Sequence, residues 1–258
     1  MKYYYQEHIA GYDRVKAEGH LAWHTVHNGK PFDDFPTREF LEYALPRLEL
    51  AEARPRALEI GCGTGVGACF LAERGFQVDA IDIIPAAIEI AKKVAAERQL
   101  DIDYQVQDVC DLSSRGDQYD LIVDSFCLQG IVFDEERARV FAVVRARLRP
   151  DGYYLVSTAM FDEDRFRKEE TVTDERSGLV YHRYADKGLI EAHTGIVYVE
   201  LDESPGRYEG AAEIAGIWYL PSRRHHRPPA LKAELEQAGF AVIYQGGEYG
   251  ENVVCALA

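Results

Sequence analysis

Basic residues are scarce in this chain: 29 Lys and Arg stand against 44 Asp and Glu, a formal net charge of −15 over 258 residues. Sequence-independent binding to nucleic acid or to an anionic membrane surface needs cationic patches, so the balance argues against both. Cysteine is sparse. Cys62, Cys69, Cys110, Cys127 and Cys255 are scattered, odd in number and never form a C-x-x-C pair. That argues against a disulfide framework and against a metal site, and for buried thiols in a reducing cytoplasm. No apolar run approaches the ~20 residues of a membrane span. The opening Met1-Lys-Tyr-Tyr-Tyr-Gln-Glu-His has no apolar segment of the secretory-signal kind, which also leads us to expect a cytoplasmic protein. There is no internal repeat and no low-complexity stretch. With 47% apolar and 28% charged residues, the chain has the composition of a globular protein with a sizeable core.

What is present is concentrated at Leu58 to Gly65, which reads Leu-Glu-Ile-Gly-Cys-Gly-Thr-Gly. An apolar strand carrying one acid, Glu59, runs into three alternating glycines and then into an apolar helix from Val66. Glycine there lets the backbone turn sharply and lets a ligand approach without a Cβ in the way. The free amides of the following helix point into the same space. The segment is suited to a nucleotide-like ligand.

Strands and helices then alternate. Strands are expected at Gln77–Ile83, Ile102–Gln107, Tyr119–Phe126 and Gly152–Thr158, with helices opening at Pro85 and running over Glu135–Leu148. Such β-α-β alternation implies a parallel sheet covered on both faces. A last helix at Pro229–Ala238 precedes two strands, Ala241–Gln245 and Asn252–Leu257, whose short connection permits only a hairpin. Residues 160–228 interrupt the alternation with strand-like pieces at Leu179–Tyr184 and Gly195–Leu201 and a turn at Ser204-Pro-Gly. An insertion after the fifth strand leaves from the ligand-binding end of an open sheet, so it is expected to cover the site. The whole is read as one domain, 1–258. It has an arm (1–56), a cofactor-binding core (57–159), a substrate lid (160–228) and a closing helix and hairpin (229–258).

The string Glu59-Ile60-Gly61-Cys62-Gly63-Thr64-Gly65 resembles the cofactor loop of the class I S-adenosylmethionine-dependent methyltransferases, of the type that act on small molecules. The resemblance implies an α/β, Rossmann-like, doubly wound sheet, mostly parallel with one antiparallel edge strand, plus the strand-rich insertion. It implies S-adenosyl-L-methionine as cofactor, its methionine half held by Glu59, Gly61, Cys62, Gly63 and Gly65. Asp82, followed by Ile83, would accept from both ribose hydroxyls; a carboxylate has the lone pairs for this. The other reading of Asp82 is an acid beside the positive end of the Pro85 helix. Asp108 would accept from the adenine amino group while Val109 packs on the ring, or it is a loop cap. Asp124 and Ser125 would place backbone carbonyls near the methionine amino group, with Phe126 and Gln129 beside the reactive methyl. The Asn/Asp-Pro-Pro-Tyr/Phe string of nucleic-acid N-methyltransferases is absent at this point. Trp23 and the Gly29-Lys-Pro31-Phe-Asp33-Asp-Phe-Pro36 stretch are similar to a segment that closes over the cofactor in thiol, halide and tellurite methyltransferases; core packing is the plainer alternative.

On the acceptor side, Arg223-Arg-His-His-Arg227 is the one dense basic cluster. Arginine suits a carboxylate or phosphate, so Arg223 and Arg224 would let the small-molecule acceptor be anionic; a solvated loop is the alternative. Tyr181 is a further candidate contact. If the nucleophile arrives protonated, His24, His182, His225 and His226 are the candidate bases. The adjacent histidines lack the third ligand a metal would need. Two rival functions stay open. Gly63 to Ala68 also satisfies G-x-G-x-x-A, which admits an NAD(P)-dependent oxidoreductase. A non-catalytic cofactor-binding scaffold on the same fold is the other.

Overall fold

Strand β1 (Arg56–Ile60) is buried at every position after the first, as a central strand covered on both faces must be. The computed structural model describes residues 2–161, 167–184, 188–202, 208–247 and 250–258. The anticipated Ser204-Pro-Gly turn lies outside them.

Six more strands complete the first sheet: β2 (Gln77–Asp82), β3 (Ile102–Val106), β4 (Tyr119–Ser125), β5 (Leu148–Thr158), β12 (Phe240–Gly246) and β13 (Glu251–Leu257). Their order is β12-β13-β5-β4-β1-β2-β3. β1 pairs in parallel with both β2 and β4, so the chain switches direction of growth between β1 and β4. Open α/β sheets bind ligands at the carboxyl ends of strands beside such a switch. β13 is antiparallel to β5 and β12, one place in from the edge that β12 occupies.

The helices α1 (Tyr3–Ala17), α2 (Trp23–Asn28), α3 (Arg38–Ala44), α4 (Val66–Ala72), α5 (Pro85–Glu97), α6 (Asp134–Arg147) and α7 (Pro228–Gln237) pack around this sheet. Side-chain alternation along β1 sorts its two faces: Leu58 and Ile60 join the core under α6 and α7, while Ala57 joins the core under α4 and α5. α5 opens on Pro85, where the missing N–H costs nothing.

The interruption is a second sheet, all antiparallel, in the order β10-β11-β9-β8-β7-β6. It contains β6 (Arg167–Thr173), β7 (Val180–Tyr184), β8 (Gly188–Glu191), β9 (Ile196–Glu200), β10 (Ala212–Ile214) and β11 (Ile217–Arg224). The sequence exposed only two of these six. β6 is mostly charged, β8 and β10 are four and three residues long, and β11 carries Pro221 at a register shift. Entry and exit are strapped together where Phe161 N donates to His226 O (2.8 Å) and His226 N to Ala159 O (3.1 Å). Ile196 and Leu220 join the first sheet's core, which fixes this sheet to it. Among the described residues no helix is long and apolar enough to cross a membrane.

Candidate cofactor and acceptor cavity

At the carboxyl ends of β1, β2 and β4 lies a cavity of about 250 Å³. Its floor is the glycine turn. Gly61, Gly63 and Gly65 all adopt left-handed backbone, the region that penalises other residues. At Gly63 an added Cβ would lie 2.4 Å from the Tyr12 hydroxyl, and at Gly67 it would lie 2.1 Å from Glu59 Oε1. The second contact explains the acid at the end of β1: Glu59 is packed against the first turn of α4.

Glu59 is 1% exposed, and its Oε2 has no hydrogen-bond partner among the described residues. Burial pushes its carboxyl up to about 8; a hydrogen bond from the Ala68 amide opposes this, and the nearby Asp82 and Asp124 add to it. Asp82, at the end of β2, accepts from Gly63 N through Oδ2 and from Ile84 N through Oδ1, both at 2.8 Å. It thus ties the glycine turn to the start of α5, and burial raises its pKa as well. Asp108, two residues past β3, accepts from Cys110 N (2.8 Å) and from the Tyr4 hydroxyl (2.7 Å). Both Asp82 and Asp108 therefore cap local backbone, and both still face the cavity, where a carboxylate's four lone-pair sites leave room for further donors.

β4 ends on Ser125, whose hydroxyl shares a hydrogen bond of 3.1 Å with Thr37. Phe126 follows with φ +67°, a strained conformation for a bulky residue and one that clusters at functional sites. The wall then continues through a 3₁₀ turn, Leu128–Gly130. Two groups hold that turn from opposite ends. Asp124 accepts from Cys127 N (2.8 Å) and Leu128 N (3.1 Å). Arg137, fully buried in α6, donates to Leu128 O (2.8 Å) and Ile131 O (2.9 Å) and forks onto Glu234 of α7 at 2.6 and 2.7 Å.

The roof comes from the arm. Tyr4, His8 and Tyr12 of α1 line the cavity, joined by Trp23 and His24 of α2 and by Phe35 to Thr37. The arm is tied down by Tyr3, whose hydroxyl donates to Glu136 (2.7 Å) and accepts from Val132 N (2.8 Å), and by Lys2 on Glu136 (2.9 Å). Trp23 packs onto Gly11, where a Cβ would lie 1.9 Å from the indole.

Of the cofactor residues expected from the sequence, Glu59, Gly61, Cys62, Gly63, Asp82, Ile83, Asp108, Val109, Ser125 and Trp23 line this one cavity, as do Phe126 and Gln129 on the acceptor side. Two cofactor candidates are not among the lining residues. Gly65 caps α4 beneath the lining, and Asp124 is turned into the protein as the cap of the wall; burial pushes the Asp124 carboxyl up to about 7. The other expected acceptor contacts also lie off the lining. Tyr181 is buried in the second sheet against Leu189, Ile214 and Tyr219. Arg224 is held by Asp134 and by the Val132 and Thr194 carbonyls, and neither it nor Arg223 lines the cavity. Of the four histidines expected as bases, only His24 lines it, and its Nε2 donates to Pro31 O (2.9 Å). His182 lies on β7, His225 Nδ1 donates to Met160 O (3.0 Å), and His226 is buried 3.6 Å from Glu234. Burial, with Arg137, Arg224 and His225 nearby, drops the His226 pKa to about 2. No described residue of 160–228 lines the cavity; the arm covers it instead. His8 went unnoticed in the sequence, although Tyr4, His8 and Tyr12 stand at i, i+4 and i+8, on one helical face.

Residues 57–152 match the family model described as a methyltransferase domain. That match agrees with the resemblance of the Glu59–Gly65 loop to the class I S-adenosylmethionine-dependent methyltransferases. The methyltransferase domain has relatives among curated proteins. A ubiquinone biosynthesis O-methyltransferase of Xanthomonas euvesicatoria pv. vesicatoria is 31% identical over 153 residues, which is 58% of this chain and 61% of that one. The matched part thus spans about three fifths of the curated relatives' length. Among solved structures, a S-adenosylmethionine-dependent methyltransferase from Clostridium acetobutylicum superposes with a TM-score of 0.64 at 12% identity, over 96% of this chain and 99% of that one. The CcbJ methyltransferase of Streptomyces caelestis gives 0.60 at 19% identity, over 90% and 95%. These show that the methyltransferase fold extends beyond the matched residues into the arm and the second sheet.

Proposed function

We propose that the protein transfers a methyl group from S-adenosylmethionine to an oxygen, nitrogen or sulfur atom of a small molecule. The observation that carries this is the unpartnered, buried Oε2 of Glu59 facing a cavity that Asp82 and Asp108 also line. Three acids at the ends of adjacent strands fit the donors of an adenosyl amino acid: its ammonium at Glu59, its ribose hydroxyls at Asp82, its adenine amino group at Asp108. Val109 and Ile83 supply apolar surface between them. When bound, the cofactor supplies an electrophilic methyl group with a good leaving group. The chain's part is alignment and exclusion of water, and alignment alone can contribute roughly 7–11 kcal/mol at best. The rigid wall from Phe126 to Ile131 and the arm above it serve that purpose. The printed function of the curated relatives makes oxygen the first acceptor atom to test.

In this reading the chain is one domain, with the arm as its cover. Residues 160–228 act as a buttress behind the acceptor wall, since Arg224 bonds Val132 O and Asp134. The free, scattered thiols support a cytoplasmic location.

Calorimetric titration of the purified protein with S-adenosylhomocysteine and, separately, with NADH tests the assignment. Binding of the first and not the second is expected. Binding of NADH alone overturns it in favour of an oxidoreductase. Binding of the homologue with no product from any acceptor favours the scaffold.

A further inference from the structure

One cavity-lining imidazole is uncommitted. His24 is engaged with a carbonyl, whereas His8 is half-buried and its ring nitrogens have no hydrogen-bond partner among the described residues. His8 meets Trp23 edge to face at 6.2 Å, and its Nε2 would lie 3.6 Å from a Cβ placed on Gly130. Gly130 belongs to the wall that follows Phe126 and Gln129, away from the glycine turn. His8 Nε2 therefore points at the acceptor side. It stands on a helix anchored at its start by Tyr3, so its position is fixed by the same contacts that close the roof.

The surroundings also select the acceptor. No Lys or Arg is found among the described lining residues of the cavity. A carboxylate or phosphate on the acceptor would find no cationic partner there. Trp23, Phe35 and Phe126 supply aromatic lining instead.

We propose that His8 is the general base of the reaction and that the acceptor is an uncharged aromatic alcohol whose hydroxyl points at His8 Nε2. This rests on the methyl-transfer reading above. An acceptor oxygen lone pair forms the new O–CH3 bond while the S–CH3 bond breaks and its electron pair stays on sulfur, giving S-adenosylhomocysteine. The hydroxyl proton passes to Nε2 and leaves from the imidazolium to solvent. The other titratable groups around His8 bear on its charge. Asp82 faces it from the end of β2, Cys127 lies in the wall, and Tyr4 and Tyr12 flank it on its own helix. Glu59, Cys62, Asp108 and His24 complete the set. Asp82 stabilises the imidazolium that the step creates.

The test compares wild type with His8→Gln, which keeps a polar side chain but cannot take up a proton. The acceptor probes are catechol and its charged counterpart 3,4-dihydroxybenzoate. Catechol is expected to be the better acceptor by about tenfold or more in kcat/KM. The substitution is expected to lower kcat by about 10²–10⁴-fold while KM and S-adenosylhomocysteine affinity stay within about twofold. Independently of turnover, the ¹⁵N signals of the His8 ring should move when catechol is added to protein loaded with S-adenosylhomocysteine. A variant that keeps kcat within about threefold overturns the proposal. So does preference for the benzoate, or absence of catechol turnover in protein that binds S-adenosylhomocysteine. Failure of the wild type to bind that compound refutes the methyl-transfer reading itself, and with it this proposal.

Discussion

Binding of the cofactor should release a proton, and Glu59 is its source. With its carboxyl pushed up to about 8, Glu59 is protonated in the ligand-free protein at neutral pH. At pH 7 the occupancy is roughly 0.9 of a proton. An ammonium group brought to the unpartnered Oε2 restores the ordinary preference for the carboxylate, and most of that proton leaves. Calorimetric titration with S-adenosylhomocysteine at pH 7, in phosphate and in Tris, reads the release as the difference in heat between buffers. Affinity should rise between pH 6 and pH 8, by up to about tenfold per unit, because proton loss is part of binding. Glu59→Gln should abolish both the release and this pH dependence. The same raised pKa destabilises the ligand-free fold as pH rises. The folded state holds the proton and the unfolded state does not, so stability falls from pH ~4 to ~8. Ligand-free Glu59→Gln should therefore gain melting temperature relative to wild type at pH 9 but not at pH 4. Equal heats in the two buffers, or undiminished release from the variant, refute the assignment of Glu59 to the ammonium.

Other substitutions test other parts of the site. Asp82→Ala should weaken S-adenosylhomocysteine by ~1–3 kcal/mol, the scale of hydrogen bonds to a charged group, and calorimetry checks it. Unchanged affinity removes Asp82 from the ribose. Arg137→Met strands Glu234 and two wall carbonyls, at a cost of about 3–5 kcal/mol. The melting temperature should fall by roughly 10 °C, and Arg137→Met with Glu234→Met should recover part of the loss; a change under about 2 °C contradicts the role. Gly63→Ala, at φ +54° and against Tyr12, should cost about 1–2 kcal/mol in stability and lower S-adenosylhomocysteine affinity, both measurable by thermal shift.

The cofactor half of the cavity was legible because its constraints are local. Three glycines at left-handed backbone must be glycine, and an acid at the end of each of β1 and β2 announces itself within one strand–turn unit. The antiparallel hairpin was legible from loop length. The acceptor half was not, because it depends on which distant segments meet. Arg224 reads as a free cation until Asp134, ninety residues earlier, is seen beside it. Tyr181 reads as a contact until the second sheet closes a core around it. The insertion leaves from the expected end of β5 but is drawn aside by packing of Ile196 and Leu220 into the first core. The arm takes its place because Gly11 lets α2 sit close against α1. The spacing of Tyr4, His8 and Tyr12 was visible, but nothing local said which face would look inward.

A crystal structure with S-adenosylhomocysteine bound measures the central claim most directly. The account predicts the ammonium within hydrogen-bond distance of Glu59 Oε2, the ribose hydroxyls on Asp82, and α1 lying across the ligand. Density for the compound anywhere else, or side chains of the arm filling the space while the ligand stays in solution, would contradict it.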